Sequence, residues 1–329
     1  MATIKEVAKR TGLSPSTISR VINNHPYVDD DKRRTVLAAM DELGYVPNSS
    51  ARRLRGQKTN TIAVIISRIV NPFFSHLVDS MEKIAGEKGY QLILCDSRLD
   101  SKREIEHLKL LKTKQVDGII MASMQNKWAE LEPFTKYGPI IACNEYDSDA
   151  IMPTVKCDQK LGGYLGAKHL IERGHTKIAY AGGADRIELT YDRKQGFMKA
   201  LEEHGLSVKE DWNFISYYGI EDGKSIFQRI YAMTDKPTAI FAGGDEVAAG
   251  IIQEAKRFGC RVPEDLAVVG YDNQPIADLI DPGITTIEQP INMMGSRAME
   301  LMVDMIKHKR KGKAQTEMLP LQLIIRQST

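Results

Sequence analysis

The chain has 329 residues and a nearly balanced charge, with 45 Lys and Arg against 43 Asp and Glu and a formal net charge of +2 at pH 7. This length allows two or three domains with substantial cores. The four cysteines show no CxxC spacing, and the chain has neither a charged-then-apolar leader nor a long uncharged apolar run. We therefore expect a cytoplasmic protein with free thiols, and no secretion, membrane insertion or disulfide framework.

The charge is unevenly distributed along the chain. Residues 1–60 contain eleven Lys and Arg against six Asp and Glu, so this segment carries +5 and the remainder carries −3. A small basic segment on a mildly acidic body suits a module that faces nucleic-acid phosphates.

The first predicted element is a short helix that begins after Thr3. Its apolar face recurs at the period of an α-helix. The positions on this face are Ile4, Val7, Ala8 and Thr11. Thr3 and Glu6 have the spacing of a capping box, and Gly12 is expected to end the helix.

A second short helix is predicted after a turn of three to four residues. Ser14 is its expected N-cap and Pro15 its first residue, where proline costs no hydrogen bond. Its expected buried positions are Ile18, Val21 and Ile22. Its other faces carry Ser16, Thr17, Ser19, Arg20 and Asn23. Two such helices are typical of a helix-turn-helix, since arginine and hydroxyl side chains can read bases or bind phosphates.

An ordinary helical hairpin is the alternative for these two helices. Such a hairpin would more often carry Glu–Lys pairs on the face that here carries hydroxyl groups and one arginine. The exposed chemistry therefore favours DNA recognition.

A third helix is predicted from the acidic run 29–31 to about Leu43, so that residues 1–46 form a helix-turn-helix domain. Residues 47–60 contain a basic segment of about two turns, which would be marginal as an isolated helix in water. This segment is either a solvated linker or a hinge that folds on DNA. In the second interpretation, Leu54 is a wedge between base steps in the minor groove.

From residue 61 onward, short apolar strands alternate with amphipathic helices. Strands are predicted at 62–66, 91–95, 118–122, 139–143, 177–181, 238–242 and 266–270. Helices are predicted at 73–88, 102–112, 161–172, 192–204, 225–232 and 246–258. The alternation indicates an α/β body of parallel sheets covered on both faces. Residues 61–329 are long enough for two such lobes, with a ligand site in the cleft between them.

These segments resemble the lactose/galactose-repressor family of transcription regulators. The matching motifs lie at 3–8, 16–23, 43–48, 116–120, 169–175, 269–272 and 285–287. The resemblance covers essentially the whole chain. It implies a homodimeric repressor on a palindromic DNA operator, with paired hinge helices that insert leucines at the operator centre. It also implies a core of two doubly wound, parallel-sheet lobes, similar to periplasmic sugar-binding proteins and linked by three crossovers.

The resemblance implies DNA-binding roles for individual residues. Those expected to contact base edges are Pro15, Ser16 and Arg20. Those expected to contact phosphates or support the reading helix are Thr3, Ser14, Thr17, Ser19, Asn23, Tyr27 and Tyr45. Those expected in the minor groove are Asn48, Ala51, Leu54 and Arg55. Pro15 departs from the polar or flexible residue often found at its position, so we expect an apolar contact there, such as one with a thymine methyl.

Two charged residues match the family's effector site. Arg193 corresponds to an effector-binding arginine, and Asp272 to an aspartate that binds hydroxyl groups. The alternatives are a solvated arginine, which would oppose the dipole of its helix, and a loop cap. Asp272 follows strand 266–270, at the mouth of a parallel sheet where ligands collect.

Four further residues are weaker candidates for the effector site. They are Phe73, Phe74, Tyr218 and Asp245. Core packing is the alternative for the three aromatic residues, and capping of the next helix is the alternative for Asp245. Gly244 stands where relatives often carry asparagine and cannot bond a sugar hydroxyl, which argues against a simple monosaccharide effector.

Other chemistries find little support in the sequence. The glycine pairs 182–183 and 243–244 lack the spacing of a phosphate-binding loop, so no nucleotide cofactor is expected. His169 and His175 do not share a helix face, so no metal site is expected, and no nucleophile–base arrangement suggests an enzyme. The predicted function is a repressor controlled by a small, carbohydrate-like effector. The alternative is a catabolite-control-type regulator that responds to a phosphorylated carrier protein.

Overall fold

The computed structural model describes residues 2–22, 25–45, 58–308 and 315–329. The chain divides into two compact units, Met1–Thr59 and Asn60–Thr329. The described helices of the first unit are α1 (Ile4–Thr11), α2 (Pro15–Ile22) and α3 (Asp30–Glu42). Their shared core contains Val7, Ala8, Ile18, Val21, Val36 and Ala39.

The ends of these helices follow the signals in the sequence. Thr3 and Glu6 form the predicted capping box: Glu6 N donates to Thr3 Oγ1 at 3.3 Å, and Thr3 N donates to Glu6 Oε2 at 2.6 Å. Gly12 ends α1 in the left-handed region, with φ 68°. Ser14 Oγ accepts a hydrogen bond from Thr17 N at 3.2 Å. These bonds occupy backbone groups that a helix end would otherwise leave unpaired.

The second unit contains two six-stranded sheets, one in each lobe. The first sheet contains β1 (Thr61–Ile66), β2 (Gln91–Asp96), β3 (Gly118–Met121), β4 (Ile140–Cys143), β5 (Thr154–Cys157) and β11 (Thr316–Leu319). Its order is β11-β5-β4-β3-β1-β2, and every pair is parallel.

The second sheet repeats this arrangement. It contains β6 (Ile178–Gly182), β7 (Asn213–Ile215), β8 (Ala239–Ala242), β9 (Ala267–Asp272), β10 (Thr285–Glu288) and β12 (Gln322–Ile324). Its order is β12-β10-β9-β8-β6-β7, with only the β10–β12 pair antiparallel.

Helices cover both faces of each sheet. Those of the first lobe are α4 (Pro72–Glu87), α5 (Ser101–Lys112), α6 (Trp128–Leu131) and α12 (Ile291–His308), with a 3₁₀ turn at Glu132–Phe134. Those of the second lobe are α7 (Gln159–Glu172), α8 (Glu188–Glu203), α9 (Ile220–Ala232), α10 (Asp245–Arg257) and α11 (Pro275–Leu279), with a 3₁₀ turn at Glu210–Trp212. None of the described helices is long and apolar enough to cross a membrane.

The chain passes between the lobes three times. The crossovers lie between β5 and α7, between β10 and α12, and between β11 and β12. Helix α12 therefore belongs to the first lobe, where Met294, Ala298 and Met302 pack in one core with Ile62 and Val64. The fold class and the three crossovers implied by the resemblance are confirmed.

Candidate functional sites

Helix α2 presents the predicted base-contacting residues to solvent. Pro15, Ser16 and Arg20 are exposed, whereas Ile18 and Val21 are buried against the other two helices. Thr17 and Ser19 are half-buried at the edge of this face. The helix thus separates an apolar supporting side from a side that can enter a groove of DNA.

The other predicted DNA contacts divide into two sets. Thr3 and Ser14 are exposed helix caps, Tyr27 is exposed, and Tyr45 is half-buried beside the core. Asn23 and the four predicted minor-groove residues lie outside the described residues. Those four are Asn48, Ala51, Leu54 and Arg55.

A cavity lies between the two lobes of the second unit. The first lobe contributes Asn71, the N-cap of α4, and the second lobe contributes the carboxyl ends of β6, β8 and β9. Among the sequence-predicted effector residues, Arg193, Tyr218 and Asp272 line this cavity. The position agrees with the general tendency of open parallel sheets to bind ligands beyond the ends of their strands.

Arg193 is held rigidly although it is charged and only 6% exposed. Its Nε and Nη2 donate to Gln159 Oε1 at 3.1 and 2.7 Å, and its Nη1 donates to the Gly243 carbonyl at 2.7 Å. The guanidinium also lies 3.4 Å from the ring centroid of Tyr271, within the range of a cation–π contact. The alternative of a solvated arginine is therefore wrong.

Close packing of α7 against α8 brings Gln159 and Arg193 together. A Cβ at Gly163 would lie 1.9 Å from the Arg193 carbonyl oxygen, and one at Gly196 would lie 1.8 Å from the Lys160 carbonyl oxygen. No side chain fits at either position, so the two helix backbones touch directly.

Gln159 also connects Arg193 to Asp272 through a chain of amides. Gln159 Nε2 donates to Gln289 Oε1 at 3.0 Å, and Gln289 Nε2 donates to Asp272 Oδ1 at 2.7 Å. Buried amides in such a chain fix each other's orientation, because every donor faces an acceptor. In the sequence, these amides are only isolated polar residues near the ends of strands and do not indicate that they are hydrogen-bonded to each other.

Asp272 ends β9 in an unusual backbone conformation, with φ 98°. Positive φ is uncommon for a residue with a Cβ, and such strain concentrates at ligand-binding sites. Burial raises the pKa of Asp272, while the Arg193 charge and hydrogen bonds from Gln289 and Gln274 oppose that shift. Arg193 and Asp272 therefore present a guanidinium and a carboxyl group, both held by hydrogen bonds, in the cavity wall.

Asp245 lies behind the cavity wall and is fully buried. Its carboxylate accepts hydrogen bonds from Gln274 N and Thr286 Oγ1, both at 2.7 Å. Burial, and then the charge of Asp272, raise its pKa to about 8. Asp245 thus positions the loop after β9, and the structure shows no side-chain cap on its own helix.

The predicted aromatic residues have different surroundings. Tyr218 lines the cavity, and its hydroxyl accepts a hydrogen bond from Ala184 N at 2.9 Å. Phe73 and Phe74 are 3% and 5% exposed and pack in the core of the first lobe. The structure gives core packing for both phenylalanines and does not place them in the cavity wall.

Several polar residues of the cavity wall were not singled out in the sequence, and Glu246 and Gln274 are two of them. Glu246 has the position of an ordinary acid in the first turn of a helix, and Gln274 that of an ordinary loop residue. Only the fold brings them beside Asp272.

Two family models match the chain. Residues 3–48 match the bacterial regulatory proteins of the lacI family, and residues 167–329 match a periplasmic binding protein-like domain. The match to the first model includes the whole of the described helix-turn-helix.

Known regulators match this chain over nearly their whole length. The NTD biosynthesis operon regulator NtdR of Bacillus subtilis is 43% identical over 100% of both chains. The HTH-type transcriptional repressor PurR of Mannheimia succiniciproducens is 35% identical over 100% of this chain and 98% of its own. A solved complex of the transcriptional regulator CelR with cellobiose is 27% identical, with a TM-score of 0.75 over 100% of both chains.

A helix-turn-helix joined to a two-lobed, cleft-forming core defines a DNA-binding transcription regulator with a ligand-binding domain. The chain belongs to the LacI family of bacterial regulatory proteins.

Proposed function

We propose that this regulator represses transcription from a palindromic operator as a homodimer, and that a small, carbohydrate-like effector in the interlobe cleft sets its operator affinity. The observation that carries this proposal is the pair Arg193 and Asp272. Both are less than a tenth exposed, yet both line a cavity between the lobes. A buried guanidinium and a buried carboxyl group held by amides are suited to binding a polar ligand with little reorganisation.

The position of the cavity supports control by lobe rearrangement. Asn71 comes from one lobe, whereas Arg193 and Asp272 come from the other. A ligand that contacts both walls favours one lobe arrangement over another, and its differential affinity sets the shift in population. We propose that this shift changes the geometry in which residues 47–60 fold on DNA.

The relatives agree with a carbohydrate-like effector. CelR was solved with cellobiose, and its chain aligns with this one over its full length. In this chain Gly244 lines the cavity and would have open space at its Cβ position. That space suits an effector larger than one unsubstituted sugar ring.

The DNA-binding half of the proposal rests on the exposed face of α2. Pro15, Ser16 and Arg20 would contact base edges, and the caps Thr3 and Ser14 would bind phosphates. The experiment is fluorescence anisotropy of the protein on DNA from upstream of its own gene, with scrambled DNA as the control. Binding that depends on sequence supports the proposal, whereas equal affinity for both DNAs, and for selected palindromes, would contradict it.

A further inference from the structure

Two hydrogen bonds join the lobes in addition to the three chain crossovers. The hydroxyl of Tyr146, which follows β4 in the first lobe, donates to Asp192 Oδ2 of α8 in the second lobe at 2.7 Å. Ser148 N donates to Glu188 Oε2 of the same helix at 2.9 Å. We call these two hydrogen bonds the interlobe contact. It connects α8 to the loop that follows β4.

The interlobe contact is largely shielded from solvent. Tyr146 is 7% exposed, and it packs with Ile187 and Leu189 in a small apolar cluster that is separate from the cores of the two lobes. Burial, and then the hydrogen bond to Asp192, raise the pKa of Tyr146 well above its usual range, so the hydroxyl stays a neutral donor. A hydrogen bond to a carboxylate in such surroundings is of the strong kind, because water competes poorly for it.

The loop that carries Tyr146 is fixed to the first lobe on both sides of this residue. Glu145 Oε2 accepts a hydrogen bond from Met124 N at 2.7 Å, and Asp147 Oδ2 accepts one from Trp128 N at 2.8 Å. Both acids are less than a tenth exposed. Because these bonds hold the loop to the segment after β3, Tyr146 moves with the first lobe.

On the second-lobe side, the interlobe contact lies beside the cavity residue Arg193. Asp192 directly precedes Arg193 in α8, and the backbone of this helix touches that of α7 at Gly163 and Gly196. Arg193 is also hydrogen-bonded to Gln159 of α7. Any movement of α8 that ligand binding causes therefore also moves Asp192 relative to the first lobe.

We propose that the interlobe contact sets the lobe arrangement of the ligand-free protein, and that Tyr146 and Asp192 are positioning residues through which a ligand at Arg193 changes operator affinity. This inference rests on the proposed function, because it names the contact that couples the same cleft to DNA binding. The contact forms in one lobe arrangement and is lost in another, so it contributes to the difference in free energy between them. Its removal should therefore change operator affinity even without a ligand.

The test is fluorescence anisotropy of the full, ligand-free chain on palindromic DNA selected with the wild type, with scrambled DNA alongside. Tyr146→Phe removes only the hydroxyl that donates to the second lobe. The control is Tyr164→Phe, which removes a hydroxyl that donates to Glu203 at 2.8 Å within the second lobe. We expect Tyr146→Phe to change the Kd for selected DNA about fivefold or more, and Tyr164→Phe to leave it unchanged. Neither variant should change binding to scrambled DNA.

Two further measurements test whether the effect arises from the interlobe contact. Asp192→Ala should change the Kd in the wild-type background and have little further effect in Tyr146→Phe, because either substitution removes the same hydrogen bond. Hydrogen exchange gives a readout that needs no DNA. The Ser148 amide, which donates to Glu188, should exchange faster in Tyr146→Phe and at the wild-type rate in Tyr164→Phe.

The remaining outcomes contradict the inference and separate it from the proposed function. If Tyr146→Phe keeps the wild-type Kd for selected DNA, the contact does not set operator affinity and the inference is wrong, while a ligand-controlled repressor still stands. The inference is also wrong if Asp192→Ala has its full effect in both backgrounds, or if the Ser148 amide of Tyr146→Phe exchanges at the wild-type rate although the Kd changes. If no palindrome is bound in preference to scrambled DNA, the proposed function is contradicted, and the inference fails with it.

Discussion

Arg193 and Tyr271 both donate hydrogen bonds to the same acceptor, Gln159 Oε1. Arg193 donates two hydrogen bonds to Gln159 Oε1, and the Tyr271 hydroxyl donates a third at 2.8 Å, while the guanidinium lies over the Tyr271 ring. Tyr271 is fully buried, and burial raises its pKa well above the usual range. The tyrosine thus remains a neutral donor at any physiological pH, and Arg193 is fixed before a ligand arrives.

Arg193→Ala should abolish the response to the effector and leave operator binding intact. It should also lower the free energy of unfolding by about 1–3 kcal/mol, because the Gly243 carbonyl loses the only side-chain donor that it has among the described residues. Arg193→Lys keeps the charge but cannot reproduce the planar set of donors, so it should restore stability more than response. Urea unfolding and operator titration with effector measure the two effects. An unchanged effector response in Arg193→Ala would remove this residue from the site.

The pH dependence of stability should reflect Asp245. Burial raises its folded-state pKa from 3.8 to about 8, so folding takes up a proton that the unfolded chain has released. Its contribution to stability is fully present below about pH 4 and is lost as the pH rises towards about 8. Asp245→Asn should flatten this part of the urea-unfolding profile, and the exposed Asp211→Asn should not. A profile that is the same in Asp245→Asn and the wild type would contradict the buried-acid assignment.

Substitution by alanine should lower stability at Gly196 and leave it unchanged at Gly244. At Gly196 the new Cβ would lie 1.8 Å from the Lys160 carbonyl oxygen, so α7 and α8 must separate, at a cost of about 1–3 kcal/mol or more in stability. At Gly244 no atom lies within 4 Å of the new Cβ and φ is −174°, so Gly244→Ala should fold as the wild type does. Thermal unfolding compares the two variants. Equal losses of thermal stability in both variants would show that the close contact between the α7 and α8 backbones is not the cause of the loss.

The DNA-reading face should respond to Arg20→Ala. Loss of an arginine that binds a base edge costs about 1–3 kcal/mol of specific binding, whereas binding to scrambled DNA should change little. Ser16→Ala removes a hydroxyl from the same exposed face, so its loss of operator affinity can be compared with the loss in Arg20→Ala. Anisotropy on both DNAs at two salt concentrations measures the effect. A loss of equal size on scrambled DNA would assign Arg20 to phosphate binding only.

The hinge prediction concerns Leu54, which lies outside the described residues. If Leu54 is a wedge between base steps, Leu54→Ala should weaken specific operator binding and spare most of the salt-driven, non-specific binding. Equal losses on both kinds of DNA would count against a wedge. The control is Leu279→Ala, which truncates an exposed leucine of α11.

The sequence predicted elements whose signals are local. The capping box at Thr3 and the glycine stop at Gly12 are confirmed, because a short-range hydrogen bond or a positive φ determines each. Helices α6, α11 and α12 and the strands β5, β7, β10, β11 and β12 were not predicted. The missed strands have three or four residues that mix polar and apolar side chains, so they show no period, whereas the equally short β3, β4 and β8 lie in continuous apolar runs. Helix α12 is defined by packing into a lobe distant along the sequence.

In the candidate site, too, some residues were predicted from the sequence and others depend on long-range contacts. Arg193, Tyr218 and Asp272 are at the cavity as the resemblance implies, whereas Phe73 and Phe74 are in the core. Gln159, Gln289 and Gln274 carry no local signal, because their roles depend on residues up to 203 positions away, as in the Gln274–Asn71 hydrogen bond. Long-range polar networks of this kind become visible only in the folded chain.

In the proposed function, a ligand in the cleft controls operator affinity. The most direct measurement is fluorescence anisotropy of the wild type and Arg193→Ala on labelled operator DNA, titrated with a panel of monosaccharides and disaccharides. We expect at least one compound to shift the wild-type Kd for operator about fivefold or more while Arg193→Ala binds operator but shows no shift. Specific operator binding that no compound shifts, or an equal shift in wild type and variant, would contradict the account.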